Sequence, residues 1–262
     1  MPLRKQLPVA LTIAGSDSGG GAGVQADLKT FASLGVHGTT AITCITAQSP
    51  KKVAGIQPCS PELVRQQIET VVESFRPAAA KTGMLFSQEI IRVVVELARN
   101  HRLPLVVDPV MVSTSGTLLL KRGGLELLRQ ELLPLATMVT PNLSEAEVLL
   151  GKKVQSEEAM SSAARAIYER FGCAALVKGG HLRGVKVAVD IYYDGKQELR
   201  LTAPFIRDIR THGTGCTYSA AITAFIARGQ RPARAVQFAK EYVSRTIAGS
   251  QRAATHTVLN WF

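Results

Sequence analysis

Aromatic residues, long apolar runs and a secretory signal are scarce or missing in this sequence of 262 residues. Aromatics make up 5% of the chain, which is few for the stacking surfaces that bind single-stranded nucleic acids. No apolar run approaches the roughly 18 residues that cross a bilayer, and residues 1–8 form a short basic tail without an apolar signal region. The sequence therefore predicts neither a nucleic-acid-binding module nor a membrane protein.

Cysteine is also infrequent, and its spacing excludes two further classes of protein. Cys44, Cys59, Cys173 and Cys216 lack the two-residue spacing of zinc knuckles and the density of a disulfide framework. We expect reduced thiols and a cytoplasmic location. Because no linker or internal repeat interrupts the chain, residues 1–262 are predicted to form one domain, with 46% hydrophobic residues to build its core.

The net charge is +11, but the basic residues are scattered and no recognisable nucleic-acid motif contains them. One basic enrichment stands out, because nine Lys or Arg and only two acidic residues lie between Arg200 and Phe262. A weak attraction for an anionic nucleotide is one interpretation of this region, and a solvated basic face is the other.

Apolar runs alternate with segments of helical period, a pattern typical of a mostly parallel sheet covered by helices on both faces. The predicted strands are 9–14, 39–46, 78–82, 105–108, 138–140, 174–178 and 187–193. The predicted helices are 23–34, 61–75, 88–100, 124–132, 144–150, 156–171, 216–228 and 232–251. Several polar motifs directly follow strands, which is where such folds bind their ligands.

The segment 211–219, THGTGCTYS, has two glycines directly before a helical pattern. Gly213 and Gly215 allow consecutive N–H groups to converge, and the helix N-terminus adds unpaired donors and partial positive charge. With Thr214 between them, they predict an anion hole for a transferring phosphoryl group. Cys216 is a candidate base or nucleophile, because a helix N-terminus lowers the pKa of a thiol. The alternative is a glycine-rich loop followed by a buried cysteine.

A second glycine-rich segment, 14–31, follows the first predicted strand and precedes a helix. Its glycines, beginning with Gly15, leave the backbone open to close approach by a ligand. The segment lacks the Gly-Lys-Ser/Thr ending of a Walker loop and the last glycine of the dinucleotide fingerprint. We therefore expect this loop to bind something other than a nucleotide held in the Walker manner.

Four polar residues follow the central strands. Asp108 at the end of an apolar strand predicts a magnesium ligand near a polyphosphate, with a structural turn as the alternative. Asn142 and Glu145 lie within one helical turn, where they could serve the same site or form a capping box. Lys178 could reach a phosphate, while Gly180 beside it would let a nucleotide lie against the backbone; the alternative is a surface lysine.

Seven segments taken together resemble the ribokinase-like superfamily, and closely its hydroxymethylpyrimidine and phosphomethylpyrimidine kinase branch. They occur in the family's order along nearly the whole chain, at 14–31, 46–48, 81–84, 107–111, 140–145, 177–181 and 211–216. The resemblance implies a three-layer α/β fold with a mostly parallel central sheet and helices on both faces. It also implies ATP and Mg²⁺ as cofactors, small-molecule substrates and a homodimer.

The resemblance further implies roles for individual residues. Asp108 and Glu145 would orient magnesium, and Asn142, Lys178 and Gly180 would lie on the ATP side. Gln48 would contact the pyrimidine, since one amide can both donate and accept. The remaining acceptor pocket would consist of Gly15, Ala22, Thr46, Met84 and Val110. On the residues alone, Gln48 could instead be a turn residue and Met84 a core residue. His181 and His212 flank these loops, and we assign neither a catalytic role.

The implied reaction is magnesium-dependent phosphorylation of 4-amino-5-hydroxymethyl-2-methylpyrimidine by ATP, and then of its monophosphate, as in thiamin biosynthesis. Cys216 occupies the position where most ribokinase-like enzymes carry an aspartate base, a departure typical of this branch. The alternative is a pyridoxal or pyridoxine kinase of the same superfamily. A non-catalytic nucleotide-binding module would be expected to lack Cys216, Lys178 or Asp108, and all three are present.

Overall fold

The computed structural model describes residues 6–111, 119–121, 123–180, 182, 187–206 and 212–262. Its centre is a nine-stranded sheet. In chain order the strands are β1 (Val9–Asp17), β2 (His37–Ser49), β3 (Lys52–Pro58), β4 (Ala79–Thr82), β5 (Leu105–Val107), β6 (Met138–Val139), β7 (Ala174–Lys178), β8 (Val187–Tyr193) and β9 (Glu198–Pro204). Their order across the sheet is β3-β2-β1-β4-β5-β6-β7-β8-β9, and a separate hairpin pairs β10 (Gln251–Ala253) with β11 (His256–Val258).

The six central strands, β2-β1-β4-β5-β6-β7 in their order across the sheet, run parallel. At the two edges, β3 pairs antiparallel with β2, β8 with β7, and β9 with β8. The helices are α1 (Gly23–Ser33), α2 (Pro61–Phe75), α3 (Gln88–His101), α4 (Gly124–Leu127), α5 (Leu143–Leu150), α6 (Glu157–Phe171), α7 (Thr214–Ala227) and α8 (Pro232–Ala248). Serine N-caps at Ser60, Ser87 and Ser156 accept a backbone N–H in the first turn of α2, α3 and α6.

Two hydrophobic cores lie on opposite faces of the sheet. Neighbouring strand residues divide between them, since Val107 faces the core beneath α2, α3, α5 and α6, whereas Val106 faces the core beneath α1, α7 and α8. The structure therefore confirms the predicted three-layer α/β fold with a mostly parallel sheet.

The differences from the predicted elements concern the edges of the sheet and the helix ends. β3, β9 and the β10–β11 hairpin were not predicted. In the case of β3 the reason is that the strand buries few apolar residues and is largely exposed. β9 alternates inward Leu199 and Leu201 with outward polar residues, which is a recognisable strand pattern. The predicted helix 124–132 is α-helical only to Leu127 and continues as a π-helical turn to Leu132. α7 begins at Thr214, two residues before the predicted start.

The carboxyl ends of the parallel strands all lie at the same end of the sheet, and the loops that follow β1, β4, β5, β6 and β7 gather there. No helix in the described part of the chain has the length and hydropathy that a membrane span requires.

Candidate active site

The two glycine-rich loops, far apart in sequence, pack directly against each other. Gly213 is the N-cap of α7 and has a φ of +84°, a left-handed conformation that favours glycine. A Cβ at Gly213 would overlap the carbonyl oxygen of Gly21 and contact Ala22. The start of α7 therefore lies against the loop between β1 and α1. Position 213 requires glycine, because of both the left-handed backbone and this close approach.

Asp17, at the end of β1, organises the N-terminal loop. Its Oδ1 accepts the backbone N–H of Gly19 at 2.8 Å, and its Oδ2 accepts those of Gly21 at 3.1 Å and Ala22 at 2.8 Å. Burial alone would raise the pKa of Asp17, but His212 and these backbone donors hold it below its usual value. Asp17 was not predicted, although a carboxylate at the end of an apolar strand is the signal that identified Asp108.

A polar cluster surrounds Asp108, directly after β5. Lys178 donates to Asp108 Oδ1 at 3.0 Å, and the hydroxyls of Thr140 and Ser219 donate to Oδ1 and Oδ2, both at 3.2 Å. Burial alone would raise the pKa of Asp108, but Lys178 and Lys81 lower it, so the carboxylate is ionised. The structure thus brings Asp108 and Lys178 together as an ion pair.

Asn142 and Glu145 form the capping box that the sequence left open as an alternative. Asn142 Oδ1 accepts Glu145 N–H at 2.9 Å, and Glu145 Oε2 accepts Asn142 N–H at 2.8 Å. The box nevertheless lies at the site, because Asn142 pairs with Lys178 through a β-bridge. Burial raises the pKa of Glu145 to about 7, with Lys178 opposing the shift and Asp108 adding to it.

The donor set here suits a hard cation. Asp108 and Glu145 offer carboxylate oxygens, and Mg²⁺ commonly takes one or two carboxylates and completes its shell with phosphates and water. Among the described residues no group of three or more His, Cys, Asp or Glu side chains could enclose a metal ion. The residues therefore fit an ion that is shared with a phosphorylated ligand and do not fit a cage made by protein alone.

The start of α7 faces this cluster. A Cβ at Gly215 would lie 3.4 Å from Lys178 Nζ and 4.0 Å from Asp108 Oδ2. Gly215, in the first turn of α7, therefore lies close to the Lys178 ammonium. The anion hole at Gly213, Thr214 and Gly215 stays a prediction, based on the unpaired N–H groups of a helix N-terminus.

The expected lowering of the Cys216 pKa is wrong for the protein without ligands. Burial raises the pKa of this thiol to about 12. Lys81 and the N–H of Gly23 oppose the shift, but the carboxylates of Asp27 and Asp108 add to it. The helix N-terminus is therefore outweighed by desolvation and nearby negative charge, neither of which the sequence displays.

A fully buried ion pair that the sequence analysis missed lies beneath Cys216. Lys81 in β4 donates to both carboxylate oxygens of Asp27 in α1 at 2.9 Å, and Thr12 donates to one of them at 2.6 Å. All three residues have no solvent exposure. Burial alone would lower the pKa of Lys81, but Asp27, Cys216 and Asp108 raise it, so Lys81 is a cation. A lysine inside an apolar strand was the available signal.

The predicted acceptor residues gather beside the N-terminal loop. A Cβ at Gly15 would lie 2.8 Å from Cys44 Sγ, and Cys44 Sγ lies 3.7 Å from Met84 Sδ. These side chains form an apolar cluster with Leu119, against which Val110 packs. Met84 is therefore a packed residue, as the alternative held, and its contact with the acceptor stays a prediction. Cys44, which was not among the predicted acceptor residues, belongs to the same cluster.

The polar side of the same region contains Gln48 and Thr46. Thr46 donates to the carbonyl oxygen of Ser16 at 2.9 Å and lies 3.2 Å from Gln48 Oε1. His212 Nε2 is 3.1 Å from Gln48 Nε2 and 3.0 Å from Asp17 Oδ2. His212 thus bridges the two loops by hydrogen bonds to Gln48 and Asp17, and neither partner was predicted from the sequence.

Of the two glycines after Lys178, Gly179 is buried and Gly180 is exposed, and a Cβ at Gly179 would lie 2.3 Å from the Val189 carbonyl oxygen. Gly179 N–H donates to the buried Asp190 at 3.0 Å, and Asp190 also accepts from Lys240 at 2.7 Å. A Cβ at Gly180 would meet no atom within 4 Å, so open space adjoins this predicted nucleotide-binding position. His181 and Thr211 lie outside the described residues.

Comparison with known proteins identifies the family of this chain. Residues 17–259 match the family model described as phosphomethylpyrimidine kinase. The hydroxymethylpyrimidine/phosphomethylpyrimidine kinase of Rhizobium meliloti is 46% identical over 245 residues, covering 93% of this chain and 92% of that protein.

The chain belongs to the phosphomethylpyrimidine kinase family, whose members are phosphotransferases. The family resemblance inferred from the seven segments is therefore confirmed.

Two solved structures extend the comparison. The phosphomethylpyrimidine kinase of Clostridium difficile 630 superposes with a TM-score of 0.80 at 41% identity and covers 91% of this chain and 98% of its own. The pyridoxal kinase of Staphylococcus aureus, in complex with AMP-PCP and pyridoxal, superposes with a TM-score of 0.89 at 37% identity and covers 98% of this chain and 94% of its own. Use of ATP is therefore supported by an analogue complex of a related kinase.

Proposed function

We propose that this protein transfers the γ-phosphoryl group of ATP to the hydroxymethyl oxygen of 4-amino-5-hydroxymethyl-2-methylpyrimidine, and then transfers a second phosphoryl group to the resulting monophosphate. The observation that carries the proposal is the position of the α7 N-terminus. It faces the Lys178–Asp108 pair on one side and packs against the acceptor loop at Gly21 and Ala22 on the other.

In this proposal the α7 N-terminus holds the transferring group. The N–H groups of Thr214, Gly215 and Cys216 lie in the first helical turn, and Thr217 N–H already bonds Gly213 O at 2.9 Å. Lys178 adds a positive charge on the nucleotide side. Phosphoryl transfer proceeds mainly by positioning and charge stabilisation, so donors held rigidly around the transferring group supply most of what the reaction needs.

Magnesium belongs to the proposal as well. Asp108 and Glu145 would hold the ion, and when bound it would neutralise negative charge on the phosphates. Removing magnesium with a chelator should abolish turnover, and adding it back should restore turnover. Full activity in chelator would refute the assignment of Asp108 and Glu145.

Cys216 is the proposed base for the first transfer. A thiol whose pKa is about 12 retains its proton at neutral pH. The proposal therefore requires that ligand binding change the charge around it, and neutralising Asp108 would remove one of the carboxylates that raise its pKa. The second transfer starts from a phosphate that is already anionic, so Cys216 is less important there.

The acceptor would lie between the apolar cluster at Cys44 and Met84 and the polar side at Gln48. A few polar groups in an apolar pocket suit an aminopyrimidine ring. The similarity to pyridoxal kinases favours a pyridine with a hydroxymethyl group as the second candidate acceptor.

A coupled ATP-turnover assay tests the proposal and separates the two candidates. Hydroxymethylpyrimidine, its monophosphate and the pyridoxine vitamers would be supplied separately, and each product would be identified by mass. We expect one and then two phosphoryl additions on the pyrimidine, at higher kcat/KM than any addition on a vitamer. A clear preference for pyridoxal would support the second candidate, and turnover with neither acceptor would contradict both.

A homodimer and a cytoplasmic location complete the proposal. The family resemblance supports the first, and four unpaired cysteines suit the second. Sedimentation analysis of the purified chain measures the oligomeric state, and a monomer would exclude the dimer.

A further inference from the structure

Trp261 lies behind both glycine-rich loops. After the β10–β11 hairpin the chain returns to the crevice between α1 and α7, where Trp261 is 7% exposed. It forms a small apolar cluster with Leu259 and Ala26, and Cys216 packs against this cluster. The Trp261 carbonyl oxygen accepts from the Tyr242 hydroxyl at 3.2 Å, so α8 holds the segment in place. Trp261 is therefore a fixed element of the layer that supports the candidate base.

One contact of Trp261 reaches the first turn of α7. The indole Nε1–H donates to the hydroxyl of Thr217 at 3.2 Å, and Thr217 has no solvent exposure. Thr217 N–H in turn donates to the carbonyl oxygen of Gly213 at 2.9 Å, which closes the first turn on the left-handed glycine. This contact braces the turn that carries the anion hole.

A second contact reaches the acceptor loop through Lys29. The Lys29 ammonium lies 4.5 Å from the centroid of the Trp261 ring and donates to the carbonyl oxygen of Gly20 at 2.6 Å. The N–H of the same peptide unit, that of Gly21, donates to Asp17 Oδ2 at 3.1 Å. Lys29 and Asp17 therefore hold one peptide plane from opposite sides.

These two contacts meet again at the site, because the Gly21 carbonyl packs against Gly213. The contacts therefore form a closed ring. On one side Trp261 contacts Lys29, which bonds the Gly20–Gly21 peptide, and on the other side it bonds Thr217, which bonds Gly213. We propose that Trp261 is a positioning residue that sets the alignment of the acceptor loop with the phosphoryl-transfer helix. This inference rests on the proposed function of the two loops.

Loss of a positioning residue should change the rate of the reaction more than it changes the stability of the protein. A displacement of about 1 Å between reacting groups can lower a rate about 100-fold, whereas the net contribution of a single hydrogen bond to stability is small. The two sides of the ring should also differ. Loss of the Thr217 contact should lower kcat, because it loosens the transfer helix, whereas loss of the Lys29 contact should raise the KM for the acceptor.

Four variants test this. Trp261→Phe keeps an aromatic face for Lys29 and removes the indole N–H, Thr217→Val removes the same hydrogen bond from the other partner, and Lys29→Met removes the ammonium. Phe262→Ala is the matched control, since Phe262 is the adjacent residue and is 85% exposed. Steady-state constants for ATP and hydroxymethylpyrimidine would be measured for each variant, together with the thermal midpoint.

We expect Trp261→Phe and Thr217→Val each to lower kcat about fivefold or more, and the double variant to be no worse than either single variant, because both remove one bond. Lys29→Met should raise the acceptor KM about fivefold with the KM for ATP within twofold. Phe262→Ala should match the parent. Variants that lower only the thermal midpoint, or a double variant whose losses multiply, would overturn the proposal.

A separate measurement keeps the inference distinguishable from the proposed function. Trp261→Leu removes both the N–H and the aromatic face, and the alkylation rate of Cys216 by iodoacetamide can be followed by peptide mass. We expect the rate to rise about fivefold or more in Trp261→Leu and to stay at the parental value in Phe262→Ala. A parent without kinase activity would refute the proposed function alone, whereas an unchanged alkylation rate would refute the support of Cys216 by Trp261.

Discussion

The pair Lys81–Asp27 and the pair Lys178–Asp108 have the same chemistry in different settings. Lys81 and Asp27 have no exposure, and both oxygens of Asp27 are bonded by Lys81, with Thr12 as a further donor. Lys178 is 13% exposed, donates to one oxygen of Asp108 and faces the start of α7. The pair Lys81–Asp27 is bonded entirely within the protein, and we call it the closed pair. The pair Lys178–Asp108 can still bind a ligand, and we call it the open pair.

The two ion pairs therefore have different roles: Lys81–Asp27 holds the site together, and Lys178–Asp108 takes part in its chemistry. A buried ion pair contributes little net stability compared with a hydrophobic substitute, but breaking it leaves an uncompensated charge. The closed pair therefore ties α1 to β4 beneath Cys216, and the open pair offers a cation and a carboxylate to phosphate and metal. Cys216 lies between them, since Lys81 lowers its pKa and Asp27 and Asp108 raise it.

The first prediction concerns Cys216 itself. Cys216→Ser should lower the rate of the first transfer about 10²- to 10⁴-fold, the usual contribution of a general base, because a serine hydroxyl is a weaker proton acceptor. The second transfer should change far less, since its acceptor is already anionic. Initial rates with each acceptor measure both effects, and Cys59→Ser is the control. Equal losses with the two acceptors would contradict the role of Cys216 as a base.

The second prediction breaks the closed pair. Lys81→Met should lower the free energy of unfolding by about 3 to 5 kcal/mol, because it leaves the Asp27 carboxylate buried without its cation. Adding Asp27→Asn to the same chain should recover part of this loss by removing the charge. Urea denaturation of both variants and the parent measures the effect. A single variant as stable as the parent would show that the pair does not hold α1 to β4.

The third prediction uses the raised pKa of Glu145. Folded Glu145 keeps its proton up to about pH 7, whereas the unfolded chain releases it near pH 4.5. Stability should therefore fall as pH rises between these values, by roughly 3 kcal/mol in total from this group, at about 1.4 kcal/mol for each pH unit. Glu145→Gln should remove this slope in metal-free buffer.

The control for that measurement is Glu147→Gln. The Val154 N–H and Lys153 lower the pKa of the partly exposed Glu147, so its titration does not fall in the same window. If Glu145→Gln retained the parental slope between pH 4.5 and 7, the burial of an ionisable Glu145 beside Asp108 would be wrong as an explanation.

The fourth prediction concerns recognition of the acceptor. Gln48→Leu nearly preserves volume and removes the amide, which should weaken acceptor binding by about 1 to 3 kcal/mol, or roughly 5- to 150-fold. Binding of an ATP analogue should be unchanged, because Gln48 contacts the N-terminal loop and His212. Calorimetric titration gives both affinities, with Gln57→Leu on the exposed β3 as control. Equal weakening of both ligands would contradict the assignment.

Much of the site could be predicted because its residues belong to local patterns. Asp108, Asn142 and Lys178 each follow an apolar strand, and parallel strands have their carboxyl ends at the same end of the sheet. The Asn142–Glu145 spacing left both a capping box and a binding role open, and only the structure shows that the box forms and lies beside Lys178.

What could not be predicted depends on contacts between distant parts of the chain. Lys81 and Asp27 are 54 residues apart, and Trp261 bonds Thr217 across 44 residues. The pKa of Cys216 depends on burial and on three charged groups from other elements, so the helix N-terminus alone gave the wrong direction. The edge strand β3 was missed because pairing at a sheet edge requires little apolar sequence, whereas β9 has a recognisable alternation that the prediction overlooked.

The most direct test of the account is a joint measurement of turnover and stability for Lys178→Met. If the open pair carries the reaction, kcat with hydroxymethylpyrimidine should fall about 10²- to 10³-fold, the cost of losing one preorganised charge-stabilising group. Stability should fall less than in Lys81→Met, because Asp108 keeps the donors Thr140 and Ser219. A variant with near-parental turnover, or one destabilised as strongly as Lys81→Met, would contradict the division between a closed pair that holds the site and an open pair that acts on phosphate.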